Sequence, residues 1–164
     1  MRVDAAAYCL LDLNDLWGNF CRHLTLDLAC GKAVMSDGML SVPYKGPTSL
    51  PGVLAVICNK RGYEPRWHDA NDTVKALQRF PSGETSAVVA AISSKASPAP
   101  ELNTTRNYFA HRRSDCRDKL GATSFYDTGM DYCAFKIGNF LRHDGRPVID
   151  YWIDELRLST LACM

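Results

Sequence analysis

The residues from Asp4 to Ala29 carry the longest regular hydrophobic pattern in the chain. Their large apolar side chains recur every three or four positions, which is the spacing of one face of an α-helix. Gly31 then supplies a residue type that commonly ends helices. About seven turns of amphipathic helix need other elements to cover the apolar face, so the pattern favours an all-α bundle. The residues of this face are Leu10, Leu13, Trp17, Phe20, Leu24 and Leu28.

Shorter segments farther along the chain carry helical signals of their own. Asp69 or Asn71 is expected to cap one helix and Pro81 to close it. Proline is tolerated in the first turn, so the helix that contains residue 106 is predicted to begin at Pro100 or Glu101 and to run past His111. Apolar spacing and capping residues predict helices over about 53–58, 69–80, 85–95, 100–111 with a continuation, and 147–163.

Two stretches lack a helical pattern. Residues 31–52 are rich in Gly, Pro and Ser and are predicted to form a long loop, which could carry a small helix or a functional flap. Residues 123–146 contain the turn signals Thr128-Gly129 and Asp144-Gly145. Within them, residues 132–137 fit either a short strand or a loop.

Length and composition indicate a single helical domain over residues 1–164. A chain of 164 residues with 46% hydrophobic content can bury one sizeable core. There is no window of about 18 apolar residues to span a membrane and no signal-peptide pattern at the start. We therefore expect no membrane partner and a cytoplasmic location.

The cysteines argue against a disulfide framework and against a zinc site. Their number is odd, they are widely spaced, and no two form a C-x-x-C pair. We expect them to be reduced and expect neither a metal nor another cofactor. The seven residues are Cys9, Cys21, Cys30, Cys58, Cys116, Cys133 and Cys163.

The hexapeptide Arg106-Asn107-Tyr108-Phe109-Ala110-His111 is the stretch that suggests chemistry. On an ideal helix Asn107 and His111 lie one turn apart on the same face. Arg106 and His111 differ by roughly 140° in direction and by about 7.5 Å along the axis. The arginine must reach round the helix, or a second copy of the motif must complete the site. Phe109 is expected to be structural, because Leu102, Phe109 and Cys116 have heptad spacing.

The hexapeptide resembles the R-x(4–6)-H signature of the HEPN superfamily, small helical domains many of which are metal-independent ribonucleases. Arg106-Asn107 matches the polar residue that often follows the Arg, and Phe109-Ala110-His111 matches the apolar residue and Ala that precede the His. Residues 13–22 and 151–157 are similar to the outer helices of bacterial HEPN-like proteins. The resemblance implies a four-helix up-and-down bundle with additional short helices and a composite cleft at a two-fold dimer interface.

The chemistry that the resemblance implies follows from RNA itself. RNA carries its own nucleophile, the 2′-OH, so cleavage needs proton transfer and compensation of charge on the phosphate. His111 would be the acid or base, Arg106 the phosphate clamp, and Asn107 an orienting group for the histidine or the backbone. The products would be a 2′,3′-cyclic phosphate and a 5′-OH. A toxin or phage-defence ribonuclease is the implied class, with an antitoxin protein as a further partner.

A basic run after the motif is the expected path for RNA. The net charge of the chain is only +1, so an RNA site must be a local patch. Asp115 and Asp118 are the only acids among these basic residues. A charged helix face is commonly just solvated surface, and this reading stays open. The residues expected to contact RNA are Arg112, Arg113, Arg117 and Lys119.

Other constellations favour structural roles. Arg61 and His68 also have R-x6-H spacing, but Gly62 and Pro65 interrupt any helix between them. The stretch Trp67–Asp72 is interpreted as a capping loop, and His143-Asp144 as a turn. No nucleophile elbow and no phosphate-binding glycine loop is found. The alternative to a ribonuclease is a non-catalytic HEPN-like module that binds a nucleotide, RNA or a partner protein.

Overall fold

The computed structural model describes residues 3–58, 62–94, 97–111, 114–122 and 145–163. Within these ranges it contains seven α-helices and no strand, and Val34 and Leu40 form an isolated antiparallel bridge. The prediction of an all-α protein is confirmed. The helices are α1 Val3–Cys30, α2 Leu50–Ile57, α3 Ala70–Leu77, α4 Gly83–Ile92, α5 Ala99–His111, α6 Ser114–Gly121 and α7 Val148–Ala162.

Helix α1 follows the hydrophobic pattern and ends where glycine was expected to end it. Leu10, Trp17 and Leu28 are buried, and the other three residues of the face are half-buried. Gly31 has φ +68°, and the amide of Lys32 donates to the carbonyl of Asp27 at 2.7 Å. These two features form a Schellman motif, which requires the left-handed backbone that glycine adopts without strain.

The predicted loop 31–52 is shorter than expected because α2 begins inside it. Ser49 caps α2 by accepting a hydrogen bond from the amide of Gly52 at 3.4 Å, and Pro51 lies in the first turn. Proline lacks the amide hydrogen that would have no partner there, so it is compatible with this position. The assignment of residues 50–52 to the loop was therefore wrong, and the segment up to Ser49 contains no helix.

Capping residues determine where α3 and α4 begin. Asp69 accepts from the amides of Asn71 and Asp72, so the cap expected at Asp69 or Asn71 is Asp69. Ser82 caps α4 by accepting from the amide of Thr85 at 3.0 Å. The predicted end of α3 near residue 80 was wrong, because the chain leaves the helix after Leu77 through a tight turn.

The chain forms two compact units. Unit 1 comprises Met1–Leu16 and Pro98–Arg157, and unit 2 comprises Trp17–Ser97 and Leu158–Met164. Both α1 and α7 contribute residues to each unit. The expectation of one domain over residues 1–164 stays a prediction.

Each unit has its own buried apolar residues. In unit 1, α5 and α7 contribute side chains such as Leu102, Val148 and Trp152, each 0% exposed. The indole of Trp152 donates to the carboxylate of Glu101 at 3.3 Å. The predicted face of the final helix is confirmed for Val148, Trp152 and Leu156, and Ser159 is half-buried. The core of unit 2 is formed by Leu26, Ala29, Val53, Ile57, Trp67, Ala76 and Phe80.

Among the described residues, no helix has both the length and the apolar character needed to cross a bilayer. The ambiguous segment 123–146 lies outside the described residues except for its last two positions.

Candidate functional site

Helix α5 holds the first half of the candidate site against the core of unit 1. Leu102 and Thr105 are both 0% exposed, which orients one side of the helix inward. The hydroxyls of Thr104 and Thr105 donate to the carbonyls of Pro100 and Glu101 at 2.8 Å. These bonds satisfy hydroxyls that would otherwise compete with the helix backbone. Because Thr105 faces inward, the next residue, Arg106, is held about 100° further round the helix.

Arg106 and Asn107 lie together and are half-buried. One terminal nitrogen of Arg106, Nη1, donates to Oδ1 of Asn107 at 3.4 Å. Nδ2 of Asn107 in turn donates to Oδ1 of Asn103 at 3.3 Å. The structure therefore brings Asn107 into contact with Arg106 and Asn103, whereas the sequence assigned it to orient His111 or the backbone. Asn103 is the residue in this chain of bonds that sequence reasoning missed, although its position one turn before Asn107 is a usable signal.

The Nε atom of Arg106 is buried and has no hydrogen-bond partner among the residues that the structure describes. A buried donor without a partner costs about 1–3 kcal/mol, and more when it is charged. Within the described part of the chain, one long bond to a neutral amide leaves most of the hydrogen-bonding capacity of the guanidinium unused. Such a group is well suited to bind an anion that supplies the missing acceptors.

His111 is the last residue of α5 and its side chain is exposed. No hydrogen bond joins its imidazole to Arg106 or Asn107 in the described part of the chain. This separation agrees with the roughly 140° between positions 106 and 111 on an ideal helix. A single copy of α5 thus presents the arginine and the histidine in different directions.

The aromatic residues between them are partly structural. The rings of Tyr108 and Phe109 pack edge to face with centroids 5.1 Å apart, and both side chains are half-buried. Leu102 is fully buried, whereas Phe109 and Cys116 are only half-buried. Of the three residues expected to face the interior, only Leu102 is therefore fully buried.

The basic residues expected to contact RNA are described in part. Arg117 and Lys119 lie on α6 and are exposed. Residues two positions apart on a helix point in directions that differ by about 200°. They therefore do not share one face of α6. Asp118 between them is exposed, and Asp115 is half-buried. Arg112 and Arg113 lie outside the described residues, and so does the predicted continuation of the motif helix directly past His111.

The remaining sequence candidates fall into structural roles or outside the described ranges. The capping interpretation of Trp67–Asp72 is confirmed by the bonds that Asp69 accepts. Among the described residues, no group of three His, Cys, Asp or Glu side chains is placed to hold a metal ion. Arg61 and the pair His143-Asp144 lie outside the described residues.

Two cysteines are unsuited to nucleophilic catalysis. Burial raises the pKa of Cys21 to about 12, with a further contribution from Cys163. Burial likewise raises the pKa of Cys163 to about 11. A thiol reacts as its thiolate, so these two groups are inert near neutral pH.

A second polar cluster, in unit 2, was not anticipated from the sequence. Glu64 accepts two hydrogen bonds from Arg22, at 2.7 and 2.9 Å, and one from the indole of Trp67 at 2.8 Å. The hydrogen bonds from Arg22 are the main reason that the pKa of Glu64 is lowered, and the bond from Trp67 lowers it further. Arg22 and Glu64 are 42 positions apart, so no local pattern signals their pairing.

No family model, curated protein or solved structure matches this chain.

Proposed function

We propose that the protein is a HEPN-like, metal-independent endoribonuclease that acts as a homodimer. The observation that carries the proposal is the exposure of His111 at the end of α5, the helix that also holds Arg106 against Asn107. A histidine of the core would be buried, whereas a proton-transfer group must reach the substrate. The hexapeptide supports the HEPN assignment and, with it, a four-helix up-and-down bundle.

The proposed reaction begins at the RNA 2′-OH. Its oxygen attacks the adjacent phosphorus as it loses its proton, and the bond to the 5′-oxygen breaks as that oxygen gains one. The imidazole of His111 transfers protons in this exchange, and Arg106 holds the phosphate through its guanidinium. Asn107 orients Arg106 through the bond at 3.4 Å. The products are a 2′,3′-cyclic phosphate and a 5′-OH.

A second copy of the chain would complete the site. Arg106 and His111 of one α5 point in different directions, so a two-fold dimer whose interface includes α5 would combine Arg106 of one copy with His111 of the other. Among the described residues, the guanidinium of Arg106 bonds only to the neutral amide of Asn107, and the proposed dimer would bring a phosphate to its terminal nitrogens. Light scattering at micromolar concentration is expected to show a dimer, and a strict monomer would contradict the composite site.

The central test is His111→Ala with His23→Ala as its matched control. Both histidines are exposed on helices, but only His111 belongs to the motif. We expect His111→Ala to lower RNA cleavage by about 10²- to 10⁴-fold and to leave the thermal midpoint unchanged. His23→Ala should retain full activity. Wild-type cleavage should persist in excess EDTA. Equal cleavage by both variants would exclude His111 as the catalytic group, and a wild type that cuts no RNA would favour the non-catalytic binding module.

Mixing two inactive variants tests whether the site is shared between copies. If Arg106 of one copy acts with His111 of the other, a heterodimer of Arg106→Met and His111→Ala contains one intact site. Half of the dimers in an equal mixture are heterodimers, so about a quarter of wild-type activity should return. No recovery, with exchange of subunits verified, would place Arg106 and His111 of the same copy in one site.

The RNA path is tested by the salt dependence of binding. Replacing Arg117 and Lys119 by Gln should weaken RNA binding and reduce the slope of log affinity against log salt by about 0.7 per lost phosphate contact for single strands. The control is the pair Lys32→Gln and Lys45→Gln, which are exposed in the 31–49 segment. An unchanged slope would assign Arg117 and Lys119 to solvated surface. If the ribonuclease is of the toxin type, an antitoxin protein is its further proposed partner.

A further inference from the structure

Unit 2 contains a cavity of about 450 Å³ that none of the motif residues lines. It lies among the last residue of α2, the segment that follows Gly62, and the end of α3. Its volume is within the range of sites for small molecules. Ile57 and Ala76 are buried apolar residues of its wall, and Tyr63 at its edge is 67% exposed.

The carboxylates of the cavity are already neutralised. Glu64 is paired with Arg22 at 2.7 Å, and Asp72 is paired with Arg66 at 2.8 Å. The hydrogen bond from Arg66 is the largest cause that lowers the pKa of Asp72. Both acids thus remain ionised and occupied by a guanidinium. They offer little attraction to an additional cation.

Lys75 and Arg79 also line the cavity, and the described residues place no carboxylate within ion-pair distance of either one. Lys75 lies in the last turn of α3 and Arg79 in the turn that follows it, and both reach the cavity. Nη1 of Arg79 donates to the carbonyl of Val56, which orients the guanidinium and leaves its other donors for a ligand. These residues make the cavity positively charged beside an apolar wall.

We propose that this cavity binds a small organic phosphate that carries a planar ring. Lys75 and Arg79 would contact the phosphate, since an ammonium and a guanidinium are the side chains that best bind it. The ring would lie against Ile57, Ala76 and the aromatic face of Tyr63. A purely apolar ligand would gain nothing from the charges of Lys75 and Arg79, and inorganic phosphate would leave the apolar wall uncovered. The site is independent of the proposed ribonuclease activity.

The experiment is calorimetric titration of the full chain with phenyl phosphate, inorganic phosphate and phenol. Phenyl phosphate should bind saturably and about tenfold more tightly than either fragment, because only it uses both parts of the cavity. No saturable binding, or binding of inorganic phosphate as tight as that of phenyl phosphate, would overturn the proposal.

Variants at Lys75 locate the site. Lys75 is exposed, so Lys75→Gln should leave the thermal midpoint unchanged and weaken phenyl phosphate about tenfold. Lys75→Arg should restore most of the affinity because it retains the positive charge. The matched control is Lys32→Gln, an exposed lysine away from the cavity, which should bind as the wild type does. Equal affinity of Lys75→Gln and Lys32→Gln would overturn the assignment.

Discussion

The motif on α5 and the segment from Gly62 to Phe80 use similar polar residues in opposite ways. In the segment, Glu64 receives three hydrogen bonds, and Arg66 lies between the carboxylates of Asp69 and Asp72. In the motif, the described ranges give Arg106 one bond of 3.4 Å to a neutral amide and no partner for its buried Nε. The first arrangement satisfies its charges internally, whereas the second leaves binding capacity unused.

This difference distinguishes residues that stabilise the fold from residues that are available to bind a ligand. An ionised group whose hydrogen bonds are complete within the chain gains little from a ligand. An incompletely bonded guanidinium gains charge-assisted bonds when a phosphate arrives. The comparison predicts that substitutions of the internally paired Glu64, Arg66 and Asp69 change stability, and that substitutions in the motif change activity.

The largest effect is expected for Arg106→Met, with Arg22→Met as its control. Methionine keeps the apolar stem of Arg106 but removes the phosphate clamp, so RNA cleavage should fall by about 100-fold or more. The free energy of unfolding should stay constant or rise by about 1 kcal/mol, because the buried Nε without a partner is removed. Urea unfolding and a cleavage assay measure the two effects. Arg22→Met should show the reverse, with lower stability and full RNA cleavage. If both variants change stability and cleavage alike, the contrast between the paired and the incompletely bonded arginine is wrong.

Glu64→Ala is expected to have the largest effect on stability in the segment. It leaves the guanidinium of Arg22 and the indole of Trp67 without their acceptor, which should lower the free energy of unfolding by about 1–3 kcal/mol. Glu64→Gln retains an acceptor for the indole of Trp67, so its free energy of unfolding should fall less than that of Glu64→Ala. Chemical denaturation of the two variants separates the contributions. Wild-type stability in Glu64→Ala would show that the cluster contributes nothing.

Asp69→Ala tests the cap of α3. Asp69 accepts from two amides in the first turn, so its loss should lower the free energy of unfolding by about 1 kcal/mol. Asn71→Ala is the control, since Asn71 is exposed in the same turn and is not the capping residue. Thermal unfolding should distinguish the two variants. A greater loss in Asn71→Ala would contradict the assignment of the cap.

The smallest effect is expected from acidic pH. Hydrogen bonds from Arg22 lower the pKa of Glu64, and a hydrogen bond from Arg66 lowers that of Asp72. Their stabilisation is therefore fully present above the ordinary carboxyl pKa of about 4 and is lost as the pH falls through the lowered values. The Glu64 side chain is 33% exposed, so solvent should limit its share to less than about 1 kcal/mol.

The control for acidic pH is the difference between Glu64→Gln and the wild type. The stability difference between these proteins should shrink as the pH falls from 6 to 3, measured by urea unfolding at each pH. A difference that stays constant over this interval would mean that the ionised form of Glu64 is not what stabilises the fold.

Local rules predicted much of the helical architecture. The apolar spacing identified α1 and α7, Gly31 ended α1, and Asp69 was one of the two caps proposed for α3. The errors lie at helix ends: α2 begins at Leu50, α3 stops at Leu77, and α4 spans Gly83–Ile92 where the sequence predicted 85–95. The end of a helix depends on a few weak bonds that compete with turn formation, so propensity alone specifies it poorly.

The candidate site was predictable in its residues and not in its environment. Spacing on α5 already indicated that Arg106 and His111 point in different directions. The half-burial of Arg106, the bond from Asn107 to Asn103 and the exposure of His111 depend on how α5 packs in unit 1. Packing against residues distant in the chain decides those properties, and a local pattern does not encode them.

The sequence by itself determined the all-α class, the approximate helices and the motif residues, because each depends on interactions within about four positions along the chain. Only the tertiary structure decided that Arg22 pairs with Glu64 over 42 positions, and that Lys75 and Arg79 line a cavity with Ile57. The physical reason is that hydrogen bonds and apolar contacts act over a few ångströms. Folding, and not chain order, determines which distant residues come that close.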